Sequence, residues 1–190
     1  MTLTEEISEG KILLEYNVGE AQILIVEREG KGYYIVKEPQ IFGEAKELYD
    51  MLTGYLYRSL KPIFIEKDPV GYIESILEEI AEELGIKSKY EEYYDVLHYY
   101  IVRDVVGYGK IDVLMKDPRV EEIAVEGPGI PVAVVHRDIS EFYWLDTNIY
   151  FTNEEELRSF IQKLALKTGK HISSAYPILE ARLPEGHRVA

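Results

Sequence analysis

Apolar and polar positions alternate from Lys11 onward: Ile12, Leu14, Tyr16 and Val18, then Ala21, Ile23 and Ile25, then Tyr33 and Ile35 on one face with Tyr34 and Val36 on the other. A period of two matches the side-chain alternation of a pleated strand, so three strands are expected. Val18-Gly19-Glu20 and Arg28-Glu29-Gly30-Lys31-Gly32 part them with glycines suited to tight turns, which makes the segment a three-stranded meander. The period then changes to that of a helix. Leu48, Met51, Leu52, Tyr55 and Leu56 share one face of a helix expected over residues 44–60, ended by Pro62 and the short apolar stretch Ile63-Phe64-Ile65. Asp68-Pro69 then sets an N-cap beside a proline at the first helical position. Ile73, Ile76, Leu77, Ile80 and Leu84 form the stripe of that second helix, and Gly85 stops it.

The polar break Lys87-Ser88-Lys89 is the expected junction between an N-terminal subdomain, residues 1–88, and a second subdomain, residues 89–190. The second opens on a long helix expected over residues 90–106, ended by Gly107. Short β-rich runs follow at residues 123–126, 131–136, 140–145 and 149–151, parted by Gly127-Pro128-Gly129, Arg137-Asp138 and Asp146-Thr147; they suggest a small antiparallel sheet. Asn153 caps a helix running to Thr168, with Glu154, Glu155 and Glu156 at the positive end of its dipole and Lys163 and Lys167 toward the negative end. Gly169 stops it. Residues 179–183 and 187–190 flank Pro184-Glu185-Gly186 as a hairpin whose second strand has barely begun, so the chain is expected to be cut in mid-element. The expected class is α+β: small antiparallel sheets packed with helices in two subdomains.

Composition narrows the functional classes. In 190 residues no run approaches the roughly 20 apolar positions of a membrane span, and the acidic start is unlike a signal peptide, which places the chain in the cytoplasm by expectation. Cysteine is absent, so disulfides, thiolate metal sites and a Cys nucleophile are excluded together. The net charge of -14, acidic in both halves, argues against nucleic acid or an anionic membrane surface and in favour of a basic protein partner. Sixteen tyrosines against three methionines, with abundant Glu and Lys, lean toward a thermophile.

Candidate chemistry is sparse. Gly10-Lys11, Gly30-Lys31, Gly109-Lys110 and Gly169-Lys170 are each without the following Ser or Thr and upstream loop glycine of a P-loop, so no ATP hydrolysis is expected of this polypeptide alone. Gly107-Tyr-Gly109 and Gly127-Pro-Gly129 lack the third glycine of a dinucleotide fingerprint and fit a helix stop and a turn. His98, His136, His171 and His187 show no paired metal spacing and are expected to be structural, and the glutamate clusters 78–79, 82–83 and 154–156 are expected to be solvated helix faces or a first turn. No catalytic or metal-ligating residue is assigned. Arg182 and Arg188 flank the Pro184-Glu185-Gly186 turn, where opposing strands either carry both toward one anionic ligand or pair them with Glu180 or Glu185.

Gly107-Tyr-Gly-Lys-Ile-Asp-Val-Leu-Met-Lys-Asp-Pro-Arg-Val-Glu-Glu-Ile123, followed by Glu126-Gly-Pro-Gly-Ile-Pro-Val132, resembles the archaeal type II/IV secretion ATPases that drive archaella, pili and protein export. Gly169-Lys-His-Ile-Ser173 and Pro177-Ile-Leu-Glu-Ala-Arg-Leu-Pro-Glu-Gly-His-Arg188 are similar to that family's next two motifs, in the same order. The meander ending in Lys37-Glu-Pro39 is similar to its amino-terminal piece, and residues 44–88 match loosely. The resemblance implies the N-terminal regulatory and mechanical part of a hexameric motor. Its RecA-like ATPase domain, with ATP and Mg, would follow the sequence given, and its partners would be that domain, neighbouring subunits of a homo-hexamer and the cytoplasmic face of a membrane platform protein. It also implies a nucleotide-facing or subunit-facing role for Arg188, and less securely for Arg182; Glu185 stands where many relatives carry Asp. The alternative from the residues themselves is a free-standing acidic adaptor without an ATPase domain.

Overall fold

Two-residue turns fix the register of the first three strands. β1 (Lys11–Val18) returns through Gly19 and Glu20 to β2 (Ala21–Arg28), with Val18 opposite Ala21 and Gly19 at φ 57°. β2 returns to β3 (Lys31–Lys37) through Glu29 and Gly30, both at positive φ, 54° and 76°. Two successive positive angles are those of a type I′ turn, whose twist matches the twist of the strands it joins. The structure, a computed structural model, describes residues 10–59, 67–170 and 180–189. The chain forms two units: Met1–Lys37 with Val113–Ala190, and Glu38–Asp112.

In the first unit the expected meander is present, but β2 is not one-faced. Ile23, Leu24, Ile25 and Val26 are all buried, so both faces of this strand are covered and its apolar run is continuous rather than alternating. After α5 (Asp112–Lys116) come β4 (Val120–Ala124), β5 (Pro131–His136) and β6 (Leu145–Tyr150), antiparallel in that order. The two sets of strands do not form separate sheets. β3 and β6 run parallel, pairing Tyr33 with Asp146 and Tyr34 with Thr147, and give one mixed sheet ordered β1-β2-β3-β6-β5-β4.

The Asn148 side chain extends this seam: its Oδ1 accepts from Val36 N and its Nδ2 donates to Val36 O, both at 2.9 Å, in imitation of a backbone amide. Asp146-Thr147, expected as a break, therefore lies within β6. Thr147 is buried, and its Oγ1 accepts from Ile149 N at 3.0 Å. Residues 140–144, expected as strand, lie outside it. Phe142 instead packs against Gly32, where an added Cβ would sit 2.6 Å from its ring.

Asn153 caps α6 (Glu154–Lys167), its Oδ1 accepting from Glu156 N at 2.9 Å, and Gly169 follows at φ 69°. β7 (Ala181–Arg182) and β8 (Arg188–Val189) form a separate two-stranded hairpin.

The second unit is helical. α1 (Gly43–Ser59) supplies Leu48, Leu52 and Leu56 to its core, and α2 (Pro69–Glu83), capped by Asp68 on Gly71 N at 3.0 Å, supplies Ile73, Leu77, Ile80 and Ala81. α3 (Lys87–Glu92) and α4 (Tyr94–Ile101) add Tyr90, Leu97 and Ile101 to the same cluster. That shared core is the reason the polar break at Lys87-Ser88-Lys89 lies inside this unit and starts α3; the divisions between units fall after Lys37 and after Asp112. The one helix expected over residues 90–106 is interrupted at Tyr93 and ends in a π-helical turn, Val102–Val106, where Gly107 N bonds Val102 O. Widened turns of this kind recur at functional sites.

The overall class is α+β, as expected. Pro62 and Ile63-Phe64-Ile65, with the motif residues His171 to Ser173 and Pro177 to Leu179, lie outside the described residues. Among the described residues no helix is long and apolar enough to cross a membrane.

Candidate functional site

The Pro184-Glu185-Gly186 turn does what its residues predict. Gly186 takes φ 99° and its N–H donates to Leu183 O at 2.9 Å, while Leu183 N donates to His187 O at 2.8 Å. Leu183 is buried and anchors the hairpin. Closure on this turn sets Arg182 directly opposite Arg188, so the two guanidinium groups leave the same face of the ribbon. Arg188 is 73% exposed, and its Nη2 lies 3.9 Å from Glu180 Oε2. The register sets the two arginines opposite each other, and Glu180 stands beside Arg188 as a loose exposed partner. Such a pair is weak in water, which leaves Arg188 available to a stronger anion. Lys170 Nζ donates to Glu180 O at 2.5 Å, adding a third cation near the hairpin.

Two polar networks were not legible as sites in the sequence. In the first unit, Asp117 follows α5 and precedes Pro118. Its Oδ1 accepts from Arg119 N at 2.9 Å, a local turn of the kind aspartate favours. Its Oδ2 accepts from two hydroxyls, Tyr16 at 2.5 Å and Tyr34 at 2.6 Å. Tyr16 Oη also lies 2.9 Å from His136 Nε2, and Asp138 N donates to His136 Nδ1 at 3.2 Å. With Nδ1 accepting, the proton of the neutral ring sits on Nε2 and is donated to Tyr16. Burial pushes the His136 pKa down from its ordinary 6.5, against the opposing pull of Asp117 and Asp138. Burial, then the bond to Asp117, pushes both tyrosines well above their ordinary range. Arg119 covers the Tyr16 ring at 4.3 Å. His136 is thus a buried, partnered histidine.

In the second unit the π turn presents Arg103. Its Nη1 donates to both oxygens of Glu38 at 2.9 and 2.8 Å, and its Nε and Nη2 to Asp104 at 2.7 and 3.1 Å. Tyr99 donates to Glu38 at 2.9 Å and Tyr49 to Asp104 at 2.5 Å, while Tyr100 lies under the guanidinium at 4.5 Å. Burial disfavours the Arg103 charge, but the bonds and charges of Asp104 and Glu38 outweigh it and raise its pKa. One sequence signal was available for both networks. Glu38 and Asp117 each precede a proline, which holds the residue extended and takes its backbone out of helical pairing.

Chemically these networks are saturated holding devices, in which the hydroxyls, ring nitrogens and guanidinium edges are occupied by one another. The hairpin differs in holding its two arginines, Arg182 and Arg188, exposed. Among the described residues, no group of three or more His, Asp or Glu is placed to hold a metal ion.

No family model matches the sequence. An uncharacterized protein of Methanocaldococcus jannaschii, MJ1288, is 35% identical over 192 residues, covering 97% of this chain and 74% of that protein. Two more uncharacterized proteins of that organism are similar: MJ0900, 28% identical over 85% of this chain, and MJ0781, 29% identical over 90%. The chain spans only 32% and 22% of these two proteins.

Proposed function

This chain belongs to one family with the M. jannaschii protein MJ1288, and on the strength of its motifs we propose that it is a non-catalytic module of the archaeal secretion-ATPase type. It works against a RecA-like domain that holds ATP and Mg, and lays Arg188, with Arg182 beside it, against nucleotide or a neighbouring subunit of a hexamer. The observation that carries this reading is the hairpin: two arginines opposite each other, one largely exposed and loosely paired with Glu180 at 3.9 Å, within the last of several motifs that resemble that family in order. Guanidinium groups suit phosphate because their planar fork matches its oxygens. Coverage of only 32% and 22% of MJ0900 and MJ0781 supports a module used within longer proteins. The module acts in the cytoplasm at the inner face of the membrane, where its acidic surface meets basic loops of a platform protein. The output is assembly of a pilus or archaellum, or protein export.

A second reading, a free-standing acidic adaptor, is favoured by one observation. MJ1288 is covered to 74%, and the remaining quarter is smaller than a typical domain of roughly 100–150 residues. Binding separates the two. The chain is expected to bind a separately expressed RecA-like secretion-ATPase domain loaded with MgATP. The double substitution Arg182→Glu, Arg188→Glu should weaken that binding tenfold or more, with the melting temperature unchanged because both side chains are exposed. Failure to bind the ATPase domain, with tight and salt-sensitive binding to a basic protein surface, would leave the adaptor reading.

A further inference from the structure

A ribbon of two strands with two residues each is marginal by itself in water. β7 and β8 pair with no other strand among the described residues, so the placement of Arg182 and Arg188 depends on what ties the hairpin to the rest of its unit. Two ties are present. Leu183, beside the turn, is buried and supplies an apolar anchor. Lys170 supplies a polar one: its Nζ donates to Glu180 O at 2.5 Å, one residue before β7 begins.

Lys170 makes that bond from a fixed backbone. Gly169 N donates to Leu166 O at 3.0 Å and Lys170 N to Ala165 O at 3.1 Å, with Gly169 at φ 69°. This pair of bonds is a Schellman motif, which ends α6 and sets the direction in which the chain leaves it. The Lys170 side chain therefore starts from a defined point at the end of α6. Its acceptor is a main-chain carbonyl, so the bond constrains the strand itself. The Glu180 carboxylate then reaches Arg188 Nη2 at 3.9 Å, and a line of contacts runs from the end of α6 through Lys170 and Glu180 to Arg188. Lys170 belongs to Gly169-Lys-His-Ile-Ser173 and Glu180 to the segment from Pro177 to Arg188, so one bond joins two motifs that are separate in the sequence.

We propose that Lys170 is a positioning residue for the arginine hairpin: its bond to Glu180 O fixes β7 and β8 at the end of α6, so that Arg182 and Arg188 are presented in one arrangement before a partner is met. The role presupposes that Arg188 faces nucleotide or a neighbouring subunit. Such preorganisation acts on affinity. If only a fraction of the chains holds the arrangement, the apparent dissociation constant rises in inverse proportion, while the guanidinium that arrives is unchanged. Lys170 therefore governs how much chain is needed, and Arg188 how much stimulation is reached.

Lys170→Met keeps the aliphatic stem without the donor, and Lys170→Arg keeps a donor. Lys170 is exposed, so neither variant should change the melting temperature. In the chain alone, hydrogen exchange of the Leu183 and Gly186 amides, which close the turn, should be about fivefold faster in Lys170→Met and near the unsubstituted rate in Lys170→Arg. With a RecA-like secretion-ATPase domain and MgATP, the Lys170→Met chain should need about fivefold more protein for half-maximal stimulation and reach the same maximum. Unchanged turn exchange in Lys170→Met, or a Lys170→Arg chain as loose as Lys170→Met, would overturn the positioning role. So would a lowered maximum at an unchanged half-saturating concentration, because Lys170 would then meet the phosphate itself. If even the unsubstituted chain gives no stimulation, the nucleotide-facing reading of the hairpin falls, and turn exchange alone decides whether Lys170 positions it.

Discussion

Replacing Asp117 with Ala is expected to lower the unfolding free energy by about 4 kcal/mol. The carboxylate accepts three hydrogen bonds at once, from Tyr16, Tyr34 and Arg119 N. Bonds to a charged acceptor contribute about 1.5–3 kcal/mol each, and they do not add fully because they share one group. Tyr34 makes the loss severe. It is fully buried, so its hydroxyl loses its carboxylate acceptor where an unmade bond is costly. Asp117→Asn keeps one oxygen and the shape of the residue and should lose about half as much. Urea denaturation of the three proteins checks the prediction. A loss under about 1 kcal/mol for Asp117→Ala would mean that the network holds little.

The second large effect is expected at Arg103. Here the danger lies in what remains, because Arg103→Ala takes the guanidinium from Glu38 and Asp104, two carboxylates whose side chains are only 22% and 19% exposed. Removing one member of such a network costs about 3–5 kcal/mol, and residual exposure favours the lower end. Arg103→Lys should recover little, since an ammonium cannot donate to Glu38 and Asp104 with the spread of a guanidinium. Adding Glu38→Gln to Arg103→Ala should restore part of the loss by removing one uncompensated charge. The double-mutant cycle then gives the coupling directly. Hydrogen exchange should place the destabilisation in residues 38–112, the unit that contains this network.

Much of the fold was legible because its signals are local. Asn153 and Asp68 announced their helices by residue type, and the structure shows each side chain accepting from the third backbone N–H onward. The Gly19 and Glu29-Gly30 turns announced the meander, and Pro184-Glu185-Gly186 announced the register that opposes Arg182 and Arg188.

What escaped was non-local. Nothing in the period of residues 31–37 or 145–150 says that β3 will lie parallel to β6, and a polar Asp146-Thr147 resembles a turn until its pairing with Tyr33 and Tyr34 is known. Lys87-Ser88-Lys89 looked like a junction because polarity alone does not reveal that Tyr90, Leu97 and Ile101 return to the core of α1 and α2. Asp117 and His136 were invisible as partners for the same reason. They lie 101 and 120 residues from Tyr16, and only the curl of the sheet brings them together. The arginine hairpin was the part of the candidate site that sequence could predict, since two strands and one turn determine it.

The proposed action on ATP through a partner domain, by way of Arg188, would show in the rate of MgATP hydrolysis by a RecA-like secretion-ATPase domain assembled with this chain, unsubstituted or carrying Arg188→Ala. An arginine that meets the transferring phosphate is worth on the order of 10³-fold or more in turnover, and one that only orders the subunit contact is worth less. The chain is expected to stimulate hydrolysis, and Arg188→Ala is expected to remove at least nine-tenths of the stimulation without changing the melting temperature. Equal turnover with and without the chain, or full stimulation by the Arg188→Ala chain, would contradict it.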